Sequence, residues 1–187
     1  IIDVNNPANP QRAGRATNVV AFDVAVSGNY VCVVTPTNGL QVIDSSDPTS
    51  PQRVGGYDTS PSARVTLAGN LAYVADRESG LQVLDISNPA SPQRVGGYNT
   101  SGDAVDVAVR GNYAYVAEAP RWNETNWIGQ GGLQVIDVSD PTNPRRVGGY
   151  SYGNASYVVA VAVSGNYACI MADGLRIIDI SDPFHPK

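Results

Sequence analysis

Residues 80–102 read "GLQVLDISNPASPQRVGGYNTSG". The same string returns nearly unchanged at 39–60 ("GLQVIDSSDPTSPQRVGGYDTS") and at 132–153 ("GLQVIDVSDPTNPRRVGGYSYG"). Broken forms open the chain ("IIDVNNPANPQRAGR", 1–15) and close it ("GLRIIDISDPFHPK", 174–187). Matching Gly-Leu pairs begin at Gly39, Gly80, Gly132 and Gly174, which are 41, 52 and 42 residues apart. One unit is therefore about 41 residues, and about 11 are inserted in one of them. A fixed period of this length is the mark of a repeat architecture.

Inside a unit the apolar residues alternate with period two, as in Val24–Val26, Tyr30–Cys32–Val34 and Leu40–Val42, and Gly, Pro, Asn and Asp punctuate the runs. The first full unit predicts strand a over 21–27, strand b over 30–35, strand c over 40–45 and strand d over 52–57. Four strands in such a unit describe a propeller blade, whereas leucine-rich and β-helical coils repeat at shorter lengths. The expected fold is an all-β propeller in one domain. It comprises a half blade (1–18), blades at 19–57, 58–98 and 99–150 with an insertion at 119–131, and an incomplete blade (151–187). Composition agrees: Gly (19) and Pro (13) are abundant, and Glu occurs only at Glu78, Glu118 and Glu124, so helix is expected to be negligible.

The unit "G-L-Q-V-I-D-I-S-D-P…P-x-R-V-G-G-Y…D-V-A-V-x-G-N-Y-A-Y-V-A" resembles the LVIVD-repeat family over nearly the whole chain. That resemblance implies a propeller-like β scaffold, a secreted or cell-surface setting in bacteria or archaea, and no catalytic motif to carry over.

The repeated words read as structural words. Asp3, Asp44, Asp85, Asp137 and Asp179 end strand c, each followed shortly by a proline, and a short carboxylate accepting backbone N–H groups suits such a turn. The Gly-Asn pairs at Gly28, Gly69, Gly111 and Gly165 supply the positive φ of tight a–b hairpins. The pairs Gly55–Gly56, Gly96–Gly97 and Gly148–Gly149 fall in strand d, where absent side chains tolerate twist and close approach. Cys32 and Cys169 share a strand b position and read as small core residues rather than a disulfide.

Chemistry is scarce. The one histidine, His185, lies at the terminus, where a base is poorly held. No G-x-S-x-G, H-E-x-x-H or C-x-x-C occurs, so no metal, no cofactor and no enzyme is expected. A glycan hydrolase would need two opposed carboxylates among Asp76, Glu78, Asp103, Glu118, Glu124 and Asp173. A formal charge of −5 without a basic cluster argues against nucleic acid. No run of 18 apolar residues marks a membrane span, and no leader-like segment opens the chain. Three N-glycosylation acceptor patterns start at Asn99, Asn123 and Asn154.

Antiparallel blades place the a–b and c–d turns on one face and the b–c and d–a loops on the other. The first face carries the uniform words and the second all the variation, which points to binding there, by a glycan or a protein. The insertion holds both tryptophans, Trp122 and Trp127, beside Arg121, with Tyr152 and Tyr157 flanking the next d–a loop. Either they form a recognition surface or they close the insertion against its own blade. The innermost strand varies at Asp23, Arg64, Asp106 and Ala160; these line the channel mouth as a ligand site or as an arginine balancing two carboxylates. The chain starts and stops inside repeats, the expected look of a piece of a longer array. Strand d near 11–15 either completes the last blade or leaves 175–180 as an unpaired edge open to self-association.

Overall fold

The computed structural model describes residues 1–17, 20–60, 64–153 and 158–187. It is all-β, with no helix among these residues. A short hairpin, β1 (Ile2–Asp3) with β2 (Gln11–Arg12), precedes the first blade of β3 (Asp23–Ser27), β4 (Tyr30–Thr35), β5 (Gly39–Asp44) and β6 (Gln52–Tyr57). The second blade is β7 (Arg64–Ala68), β8 (Leu71–Ala75), β9 (Leu81–Asp85) and β10 (Gln93–Tyr98). The third is β11 (Asp103–Arg110), β12 (Tyr113–Ala119), β15 (Gly131–Asp137) and β16 (Arg145–Gly153), and the insertion adds a ribbon of β13 (Arg121–Trp122) and β14 (Trp127–Ile128). The last blade has β17 (Ala160–Ser164), β18 (Tyr167–Met171) and β19 (Leu175–Asp179). Every pairing is antiparallel. Strands b and d of the first unit have the expected bounds, whereas strand a begins at Asp23 and strand c runs Gly39–Asp44.

The turn words do what their chemistry allows. The φ of Gly28, Gly69, Gly111 and Gly165 lies between 53° and 59°, the left-handed value a tight hairpin requires. The Oδ1 atoms of Asp3, Asp44, Asp85, Asp137 and Asp179 each accept the backbone N–H two residues on, at 2.8–2.9 Å. These acceptor roles hold Asp44, Asp85 and Asp179 below the ordinary carboxyl value of 3.8. Asp47 and Asp140, bonded by threonines, and Asp182, bonded by His185, are lowered likewise. Burial pushes Asp76 and Asp106 the other way. A carboxyl lowered by folding stabilises the fold above 3.8 and loses that contribution as pH falls through its folded value, whereas a raised one opposes folding once ionised. Thermal scans across the acid range should therefore show a maximum midpoint on the acid side of neutrality and a steep fall below pH 3.8.

Blades bury one another, as repeats must. Cys32, Val34, Leu40 and Val42 of the first blade meet Val65, Val74 and Leu84 of the second. Equivalent positions build the next two interfaces. Strand d bulges opposite strand c at Val54, Val95 and Val147. The following glycine lets the next blade's c–d turn come against the backbone: a Cβ on Gly55, Gly96 or Gly148 would lie 2.1–2.2 Å from the carbonyl oxygen of Pro89, Pro141 or Pro183. Gly14 stands in the same relation to Pro48, so β1 and β2 are strands c and d of a half blade stacked on the first blade.

The N-terminal strand d pairs with β1 and not with β19, which decides the sequence alternative in favour of an open arc. The innermost strands β3, β7, β11 and β17 lie side by side in that order, and among the described residues β17 makes no comparable contact with β3. One detail differs from expectation. The C-terminus is tied down, because Asp179 and Lys187 exchange backbone hydrogen bonds of 2.7 and 3.1 Å, the rung that Asp44 and Gln52 form in the first blade.

Candidate functional site at the channel mouth

On the variable face, the starts of the four innermost strands and the inserted ribbon enclose a cleft of about 1150 Å³. Its lining combines apolar Phe22, Val105, Pro120 and Val159 with Arg64, Arg77, Arg121, Glu78 and Asp103, and both tryptophans stand at it.

The ribbon presenting them is set by its turn. The Asn123 side chain accepts the N–H groups of Thr125 and Asn126 at 3.2 and 2.7 Å, and Glu124 takes a φ of 75°. That closure puts Trp122 directly opposite Trp127. The rings meet edge to face with centroids 5.5 Å apart and an interplanar angle of 62°, and the residues remain 54% and 51% exposed. The tryptophans thus support one another while keeping ring surface open to solvent.

Three further contacts fix the ribbon on the body. Arg121 reaches Glu78 of the second blade at 3.2 Å and Asp103 at 3.7 Å. At the ribbon's base, Gly129 with φ 75° comes so close to Gly102 that a Cβ would lie 2.6 Å from its backbone. The loop at Ser101 and Gly102 is in turn hooked by the buried carboxylate of Glu118, which accepts the Ser101 hydroxyl at 2.6 Å, the Gly102 N–H and the Gln134 amide. Arg121 therefore positions the tryptophans as much as it lines the cleft.

The other sequence candidates divide. Of Asp23, Arg64 and Asp106, only Arg64 lines the cleft; it lies 3.9 Å from Asp23 and donates to the Phe22 carbonyl at 3.3 Å. Asp23 and Asp106 each accept a backbone N–H from the next blade, Val65 and Val161, at 2.8 Å. The two carboxylates thereby stitch neighbouring innermost strands. Burial raises Asp106 despite these donors and the nearby Arg64. Tyr152 does not line the cleft; it packs into the interface of the last two blades under Arg176, 4.7 Å from its ring centroid. Burial pushes its hydroxyl up to about 12. Tyr157 and the Asn154 glycosylation pattern lie outside the described residues. The cysteines are free, Cys32 in the core with its thiol pushed up to about 11 by burial and Cys169 half-buried on the last blade. His185 pairs with Asp182 at 2.9 Å.

Of the carboxylates considered for hydrolysis, Asp76 accepts the Ser60 N–H at 2.6 Å and Asp173 pairs with Arg176 at 2.8 Å. Among the described residues no group of three or more His, Cys, Asp or Glu is placed to hold a metal ion, and no helix is long and apolar enough to cross a membrane. The sequence reading missed Arg77, which enters the cleft from the b–c loop of the second blade with a φ of 45°.

Comparison with known proteins places this geometry. A family model described as LVIVD repeat matches residues 20–59, 62–100, 101–124, 126–151 and 155–187, with a break inside the inserted ribbon. No curated protein matches the chain. Among solved structures it is similar to the computationally designed Ika4 protein, with TM-score 0.68 and 16% identity over 89% of this chain and 94% of that one. It is similar to the computationally designed Ika8 protein, with TM-score 0.66 and 14% identity over 87% of this chain and 46% of that one. It also resembles Sqt1 of Saccharomyces cerevisiae, with TM-score 0.58 and 11% identity over 81% of this chain and 44% of that one. At such identities these likenesses speak for the fold alone.

Proposed function

Because the chain belongs to the LVIVD repeat family, we propose that its blades serve as a scaffold and that it works as a non-enzymatic binding module, extracellular or at a cell surface, taking a glycan at the variable-face cleft. The observation that carries this reading is the tryptophan pair, half exposed on a fixed ribbon at the rim of a recessed, partly polar cleft. Rigid aromatic faces beside hydrogen-bonding groups suit the apolar and hydroxylated sides of a sugar ring. The non-enzymatic part is supported by the engagement of the nearby carboxylates. Asp76 and Glu118 accept loop donors, and Asp103 and Glu78 face arginines.

A glycan array probed with the parent chain and with the double variant Trp122→Ala/Trp127→Ala tests this reading. A hot-spot aromatic contributes about 2 kcal/mol or more, so the double variant should lose binding by about 100-fold or more. Its melting temperature should stay close to the parent's, since the ribbon lies outside the interblade cores. Retained binding in the variant, or an array on which the parent chain binds no glycan, contradicts it.

A second reading, self-assembly through the ends of the arc, is favoured by one observation. Positions buried in every internal interface are bare at the ends: Leu133 is 1% exposed but its equivalent Leu175 is 65%, and Val65 is 6% but Val24 is 56%. Light scattering that shows only monomer at every concentration removes this reading.

A further inference from the structure

We infer that the cleft takes an anionic saccharide, with Arg77 as the residue that reads its acidic group and Arg64 as a second cation in the same lining. The inference rests on the glycan reading above and adds the class of sugar. Arg77 is held in a left-handed conformation, φ 45°, that favours glycine or asparagine and is uncommon for a long side chain. The backbone around it enforces this. The Arg77 N–H donates to the Ala104 carbonyl at 2.9 Å, and the Arg77 carbonyl accepts from Ala104 at 3.0 Å and from Gly80 at 2.9 Å. Strain imposed this firmly on a non-glycine residue at a cleft points to use of its side chain.

The guanidinium of Arg77 is only loosely engaged. Its guanidinium is nearly half exposed and lies 3.4 Å from Asp103, which also faces Arg121 at 3.7 Å. Arg121 is shared with the well-exposed Glu78, so the lining sets Arg64, Arg77 and Arg121 against two carboxylates. Asp23, next to Arg64, and Asp106 lie outside that lining and accept the amides of Val65 and Val161. Arg64 in turn faces Asp23, so each guanidinium of the lining has a carboxylate partner and each keeps part of its surface open. The ion pairs are also long, against about 2.7–2.9 Å for a good charge-assisted contact. A ligand carboxylate or sulfate offers the guanidinium fork a shorter, bidentate partner while the sugar ring lies on the tryptophans.

Trp122 and Trp127 are the only tryptophans in the chain, so intrinsic fluorescence reports directly on the cleft. The titration uses an oligogalacturonate, its methyl ester and a sulfated heparin fragment. Oligogalacturonate should shift the emission, and the uncharged ester should bind at least about tenfold more weakly, as befits loss of a charge-assisted bond. Arg77→Gln should lose the same factor for the acid and nothing for the ester. Arg77→Asn, which suits the left-handed backbone, should lose it too while melting at or above the parent temperature, separating lost recognition from lost folding. Tighter binding of the sulfated fragment with the same Arg77 dependence supports the anion assignment and names sulfate as its source. Equal binding of acid and ester, or Arg77 variants that bind the acid like the parent, overturns the inference and leaves the glycan reading standing. Emission that no saccharide, acidic or neutral, alters removes that reading and this inference with it.

Discussion

Gly96→Ala is expected to destabilise the protein by about 3 kcal/mol, within the usual range for overpacking a tight contact. The new methyl would sit 2.1 Å from the Pro141 carbonyl oxygen and 3.1 Å from Thr142. Both neighbours are backbone, in a turn already fixed by the hydrogen bonds of Asp137 and Asp140, so no flexible side chain can yield. In a chain of this length such a loss lowers the melting temperature by roughly 6–12 °C. Gly111→Ala gives the comparison: its φ of 57° disfavours a side chain, but nothing lies within 4 Å, and the cost should be about 1 kcal/mol. Denaturant titration of both variants checks the order. Equal costs would mean that the blades do not approach each other through their strand d glycines.

Leu133→Ala should be of comparable severity, about 2–5 kcal/mol, because Leu133 fills the interface of the last two blades with no route for solvent to replace it. Leu175 is its repeat equivalent, and Leu175→Ala should change stability by no more than about 0.5 kcal/mol, as at other exposed sites. The comparison also discriminates between the two functional readings. If copies associate through the end faces, the Leu175 variant will show a cost that grows with protein concentration, since assembly then stabilises the covered form. A cost independent of concentration and near zero leaves that face free in solution.

Much of this architecture is legible in the residues because it is local. Alternation gives the strands, Gly-Asn gives the hairpins, and an aspartate two residues before a backbone donor gives the c–d turn. Strand a began two residues later than expected, at Asp23, because Phe22 belongs to the cleft wall rather than to the innermost strand. What composition and period cannot express is which loops converge across blades. Arg121 is adjacent in sequence to Trp122, yet its partners Glu78 and Asp103 come from elsewhere in the chain. Tyr152 follows the repeated "RVGGY" and looked available to a ligand, but the stacking of the last blade places Arg176 over its ring. Arg77 carried no motif at all; its importance shows only in a dihedral angle that the bridge to Ala104 imposes. The role of Gln82 within "GLQV" is likewise a cross-strand matter, since Arg94 of strand d donates to its side-chain oxygen, as Arg146 does to Gln134.

Recognition at the channel mouth on the variable face, as proposed above, can be seen or refuted in a crystal structure of the chain with a bound acidic oligosaccharide. A sugar ring should lie against Trp122 or Trp127 with its acidic group within hydrogen-bond distance of Arg77; a ligand seated on the uniform face of Gly-Asn and Asp-Pro turns, with the cleft empty, would refute the proposal.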